Sequence, residues 1–129
     1  MVRISNKTAQ RLGLVGKSKY NNRKVTFQGL TFDSQKEFEY YLILKDKEKR
    51  GLVFNIKRQV PLEIQPAFTD KSGVKHRAIT YKADFVYTDR VSGKVRYIDV
   101  KGSKSTLTEV YKLKKKLLAY KNIIIEEVY

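Results

Sequence analysis

The sequence predicts an α/β chain: a mixed sheet flanked by helices, with a short hairpin and a basic N-terminal arm in front. Three observations predict it. The 129 residues amount to one ordinary domain. A 41% hydrophobic content with nine Tyr and six Phe supplies a packed core. The order of periodicities is helix, three extended runs, helix, extended run. A helix between two strands of one sheet is the right-handed crossover that permits parallel pairing, so the sheet is mixed.

Residues 1–21 are polar, basic and without sustained periodicity, and read as an arm, leaving 22–129 as the domain. Lys24 to Phe27 and Leu30 to Phe32 alternate at period two around Gly29, which predicts a hairpin. Asp33 and Ser34 supply an N-cap, and Phe38, Tyr41, Leu42 and Lys45 recur at helical spacing until Gly51 stops the helix. Val53 to Ile56 and Val60 to Ile64 form one interrupted extended run, with Pro61 arguing for an edge or a bend. Asp70 to Gly73 is a turn, and Ala78 to Tyr87 and Val95 to Val100 are strands that should pair antiparallel about Ser92 and Gly93. A second helix, from about Thr106 to Lys121, places Val110, Leu113, Leu117 and Tyr120 on its apolar face, and Ile123 to Ile125 is a short buried strand.

Charge narrows the function classes. Lys and Arg number 28 against 13 Asp and Glu, a net charge of +15. Residues 1–30 hold seven basic residues and no acid, residues 101–121 hold seven more against Glu109 alone, and ten acids lie within 31–100. A basic surround with central carboxylates suits a protein that holds divalent cations against phosphate. There is no cysteine, and His76 is the single histidine, so disulfides and thiolate or His-rich zinc sites are excluded and any metal must be held by oxygen. No apolar run approaches the roughly 20 residues of a membrane span, and no signal-peptide pattern opens the chain, which predicts a cytoplasmic protein without a membrane partner.

The sharpest local feature is Ile98-Asp99-Val100-Lys101-Gly102 at a strand end, where Asp99 and Lys101 project to one side. Asp84, fifteen residues upstream, would lie across the hairpin from Asp99. Facing carboxylates ask for a cation between them, and the candidates are Lys101 and a divalent metal. An Asp-x-Lys on a strand is also an ordinary surface ion pair worth at most about 1 kcal/mol, but Asp84 stands among apolar neighbours where an unpartnered acid is costly. Carboxylates with the Val100 carbonyl and waters suit Mg²⁺ or Mn²⁺. Glu37 fits two roles, the N3 position of a Ser34-x-x-Glu37 capping box or a third acid aimed at the sheet. For Glu109, Thr106-x-x-Glu109 reads as a capping box.

Taken together, these residues resemble the PD-(D/E)XK phosphodiesterases. Asp84 in Tyr81-Lys82-Ala83-Asp84-Phe85 resembles the first aspartate of that motif, with Ala83 where proline often stands, and Asp99-Val100-Lys101 resembles its (D/E)XK. Phe32 to Glu37, Gln59 to Leu62, Asp99 to Gly102 and Lys112 to Leu117 are similar to a phage family long catalogued as of unknown function, over about residues 22–128. The spacing is similar also to the junction-resolving endonuclease of T-odd coliphages and to TnsA-type endonucleases.

The resemblance implies a restriction-endonuclease-like αβββαβ core and an Mg²⁺-dependent DNA endonuclease, with Mn²⁺ able to substitute, acting on branched DNA such as four-way junctions in phage recombination, in the host cytoplasm. It raises Glu37 over Glu39 as the helix acid. Glu37, Asp84, Asp99 and the Val100 carbonyl would hold metal, and Lys101 would orient or deprotonate the attacking water or neutralise the scissile phosphate. Lys75, Arg77, Lys82, Lys104, Lys112, Lys114, Lys115 and Lys116 would track DNA phosphates. Cutting opposed strands of a junction would require a homodimer. Two competing classes remain. A nucleic-acid-binding protein without catalysis would use the three acids structurally, and an RNA-binding ribosomal-type protein fits the charge but leaves Asp84 and Asp99 unexplained.

Overall fold

The computed structural model describes residues 23–103 and 107–129, so the expected arm and Lys104 lie outside the described residues. The chain divides into two compact units, Met1–Lys45 and Asp46–Tyr129.

In the first unit, strands β1 (Val25–Phe27) and β2 (Leu30–Phe32) pair antiparallel, with Val25 opposite Phe32. Gln28 and Gly29 turn the chain with φ of 51° and 80°. Two successive left-handed residues are what a two-residue hairpin loop needs to match strand twist. Helix α1 (Gln35–Lys49) then begins where the Ser34 Oγ accepts from the Glu37 amide at 3.1 Å, the N-cap bond the sequence predicts. Phe38 meets Phe27 and Phe32 at centroid distances of 5.2 and 5.3 Å, and Phe32 meets Tyr41 at 5.1 Å. Phe32 and Phe38 are fully buried, each contributing about 2–3 kcal/mol by area. Leu44 is buried in α1, and Leu42, expected on that face, is exposed. Helix α1 ends in a Schellman pattern, with Leu52 N–H donating to Lys47 O, Gly51 N–H to Glu48 O, and Gly51 at φ 76°.

In the second unit the main sheet has the order β3-β6-β7-β8, formed by β3 (Val53–Gln65), β6 (Ile79–Asp89), β7 (Val95–Val100) and β8 (Ile125–Val128). The first three strands are antiparallel, and β8 joins β7 in parallel after helix α2 (Glu109–Tyr120), so the sheet is mixed as predicted. Pro61 is on β3, an edge strand, where its missing N–H costs least. The interruption expected at residues 57–59 is absent, since β3 runs unbroken and in register there; the register shifts earlier instead, between Phe54 and Lys57, at Asn55 with φ 56°. Beyond the end of the β3–β6 ladder, β4 (Phe68–Thr69) and β5 (Lys75–His76) form a small hairpin around the predicted Asp70 turn, too short for strand periodicity to reveal.

The core of this unit joins Leu62, Ile64, Ala83, Leu118 and Ile125, with Val60, Tyr81, Val86, Tyr97 and Ile123 packed against it. Here α2 differs from expectation. Tyr111 and Leu118 are its buried residues, whereas Val110, Leu113, Leu117 and Tyr120 are exposed. The reason is the tyrosine: Tyr111 buries its ring because its hydroxyl has a partner in Glu127, an option that counting aliphatic residues overlooks. The α2 cap also differs. Thr108, not Thr106, is the N-cap, accepting from the Tyr111 amide at 3.0 Å, and Glu109 therefore sits in the first turn rather than at the third position of a capping box. Asn122, at φ 65°, closes α2 with the same Schellman bonds that Gly51 makes for α1. In the Ile123 to Ile125 run only Ile125 enters the strand, and Ile124 is exposed.

Candidate active site

The hairpin β6–β7 carries the two predicted aspartates to one place. Its ladder runs from Thr88 opposite Val95 to Phe85 opposite Ile98, and one further step in that register sets Asp84 opposite Asp99. Beyond the ladder, Val100 N–H donates to Asp84 Oδ2 at 2.8 Å. The turn that fixes the register is tied by Asp89, whose Oδ1 accepts from Val91 N–H at 2.9 Å and whose carbonyl accepts from Gly93 N–H at 2.8 Å.

Asp99 is 5% exposed, one of two buried charged residues in the described chain, and Glu37 is the other. Lys101 Nζ lies 2.7 Å from the buried Asp99 Oδ2 as an ion pair. Two further elements hold Lys101. Its backbone N–H donates to Val128 O of β8 at 2.7 Å, and its ammonium stands 3.8 Å from the centroid of the Tyr111 ring on α2. A strand end, a parallel neighbour and a crossover helix therefore fix one amine beside one carboxylate.

Sequence reasoning missed the far wall of the site. In the parallel register Glu127 stands opposite Asp99. It accepts from Tyr111 Oη at 2.7 Å, Lys115 Nζ at 2.8 Å and Tyr129 Oη at 3.1 Å. The Lys115 bond first, then the Tyr111 bond, hold the Glu127 carboxyl down at about 2. Burial first, then the nearby Asp99, push the Tyr81 hydroxyl far above the usual tyrosine range, and burial with Glu127 does the same to Tyr111. Both phenols stay protonated. Tyr81 and Tyr111 lie ring to ring at 5.7 Å. The signal that pointed to Asp84, an acid in an apolar strand needing a partner, was present for Glu127 as well.

The remaining predicted residues distribute as follows. Glu37 belongs to the first unit, whereas Asp84, Asp99, Val100 and Lys101 belong to the second. Lys115 is engaged by Glu127, and Lys112 pairs with Glu109 at 3.3 Å on the surface. Lys75, Arg77, Lys82 and Lys116 are exposed, and Lys114 is half-buried.

Among the described residues no three or more Asp, Glu, His or Cys side chains are gathered as a metal-holding group. Mg²⁺ does not demand one, since it keeps several waters and is commonly held by one or two carboxylates plus substrate phosphate. The donor set here is all oxygen, the Asp84 and Asp99 carboxylates with the Val100 carbonyl, and Asp99 Oδ2 already faces one cation, the Lys101 ammonium. The residues fit such an ion.

Fold and site together define a mixed α/β protein whose sheet pairs two aspartates beside a lysine. The chain belongs to the DUF1064 family, described as a protein of unknown function, whose family profile matches residues 17–128. No curated protein and no solved structure matches the chain. No helix among the described residues is long and apolar enough to cross a membrane.

Proposed function

We propose that the protein is a metal-dependent DNA endonuclease that hydrolyses phosphodiester bonds, with branched DNA such as a four-way junction as its substrate. The observation that carries this reading is Asp84 and Asp99 on adjacent antiparallel strands with the Lys101 ammonium 2.7 Å from Asp99. Asp84, Asp99 and the Val100 carbonyl would hold Mg²⁺, or Mn²⁺ in its place, and the ion would supply Lewis-acid stabilisation of charge developing on the phosphate.

The chain's own residues supply the rest. Lys101 presents its positive charge to the scissile phosphate from a position set by the Tyr111 ring and the Val128 carbonyl. Asp84, by accepting from the Val100 amide, fixes the backbone between Asp99 and Lys101. Protonated Tyr81 and Tyr111 enclose the lysine and carboxylate and limit water around them. The net charge of +15 draws a polyanion toward the surface. Cutting a junction symmetrically would bring two copies together, one site for each strand.

A second reading, DNA binding without catalysis, takes support from the same contacts, since an ion pair and a carboxylate-to-amide bond also stabilise the end of two paired strands. One experiment separates the two. Labelled four-way junction, linear duplex and single strand are incubated with Mg²⁺, Mn²⁺ or chelator, beside Asp99→Ala and Lys101→Ala. Metal-dependent cutting of the junction that both substitutions abolish is the expected result. Binding without product in every metal condition would leave the second reading, and equal cutting of junction and duplex would remove the branch preference.

A further inference from the structure

The β4–β5 hairpin has features that the carboxylate site does not use. Phe68 and His76 are direct cross-strand partners, and their rings stack at 4.7 Å with an interplanar angle of 16°. Both are open to solvent: Phe68 is 45% exposed and the His76 side chain 44%. Two strands of two residues are marginal in water unaided. Asp70 braces them. Its Oδ1 accepts from Ser72 N–H at 2.8 Å and Val74 N–H at 3.1 Å, and its Oδ2 lies 2.7 Å from His76 Nε2. The Ser72 hydroxyl bond first, then His76, hold the Asp70 carboxyl down at about 2, so the brace is ionised at neutral pH. On and beside the same hairpin Lys71, Lys75 and Arg77 are all exposed.

We propose that this hairpin is a stacking platform for an unpaired DNA base. The inference rests on the nucleic-acid reading above for its class of ligand and adds the feature that the protein recognises. Exposed aromatic rings among cations are the arrangement that holds single-stranded nucleic acid, because every base offers a π face and every linkage a phosphate. Paired bases stack on one another and offer no ring face, so the platform selects a base released at a branch, flap or end. The hairpin continues the β3–β6 pair beyond Gln65 and Ile79, within the unit that carries the aspartates. Eight residues separate His76 from Asp84, which limits their separation to at most about 29 Å. At roughly 3.4 Å per base pair that span corresponds to about eight base pairs. Cleavage is therefore expected within about eight base pairs of the unpaired base.

The test uses 2-aminopurine fluorescence in chelator, where no cutting occurs, with the full chain and three DNAs: a single strand, a blunt duplex, and a duplex with an unpaired 2-aminopurine at a flap. Wild-type protein should quench the unpaired probe and bind the flap more tightly than the blunt duplex. Phe68→Leu should lose the quenching and about tenfold in flap affinity while keeping duplex affinity, and Phe68→Tyr should retain both. Lys75→Ala should weaken flap and duplex alike. Quenching that Phe68→Leu leaves intact, or a wild type that binds flap and blunt duplex equally without quenching, would overturn the platform. Quenching by a protein that then cuts nothing in Mg²⁺ would uphold the platform while removing the endonuclease reading.

Discussion

Two acid–base contacts in the second unit have the same length and opposite character. Asp99 and Lys101 meet at 2.7 Å with side chains 7% and 18% exposed, and Asp70 and His76 meet at 2.7 Å at 33% and 44%. Asp70 is saturated by turn amides and a hydroxyl, so its carboxylate is consumed in holding a loop. Asp99 is buried, and its Oδ2 faces a lysine ammonium instead of turn amides. Desolvation of such a pair outweighs much of its Coulomb gain. An arrangement that costs stability at one place and is fully satisfied at another separates a reactive carboxylate from a structural one.

The strongest way to break that contrast is to neutralise each acid in turn. Asp99→Asn should reduce metal-dependent cleavage by about a hundredfold or more, the scale of losing one preorganised electrostatic partner. Asp70→Asn should leave cleavage of a linear duplex unchanged, and the gel assay that reads both variants would erase the distinction if it showed equal losses. Lys101→Met should also lose about a hundredfold in rate. Its melting temperature should fall more than that of Asp99→Ala, because it strands the Asp99 carboxylate, 7% exposed, whereas Asp99→Ala strands an ammonium that is 18% exposed.

Smaller effects sharpen the comparison. Leu118→Ala should cost about 2–5 kcal/mol in a denaturant titration, since Leu118 is fully buried in the cluster under the site. Ser34→Ala should cost about 1 kcal/mol through the lost α1 cap. The smallest is a pH effect. The Asp70 carboxyl titrates at about 2 in the folded hairpin against 3.8 otherwise, so its bracing is complete above about pH 4 and lost as pH falls toward 2. Exchange protection of the Ser72 and Val74 amides should fall through that window in the wild type and stay low throughout in Asp70→Ala.

What the sequence disclosed follows the range of the interactions. Asp84 and Asp99 are joined by a hairpin whose turn residues are visible, so local geometry sufficed to pair them. Glu127 comes opposite Asp99 through a parallel register set by a crossover helix, so its neighbours mark an acid in need of a partner without marking which strand it joins. The α2 face was misassigned because a tyrosine with a buried polar partner substitutes for an aliphatic residue. The β4–β5 strands were invisible because two residues cannot show alternation. The Ser34 cap, the Gly51 stop and the Pro61 edge were legible because each depends on a single residue's backbone chemistry.

The bond from the Lys101 amide to the Val128 carbonyl also has a bearing on how the protein assembles itself. The aspartate hairpin closes a span of fifteen residues, while the lysine's backbone clamp must wait for a strand 27 positions further along and for the intervening helix to dock. Loop-closure entropy favours the shorter span first. The carboxylates thus become neighbours early in folding, and the amine is locked beside them only when the sheet is complete, so partly folded chains hold the acids without the fixed cation.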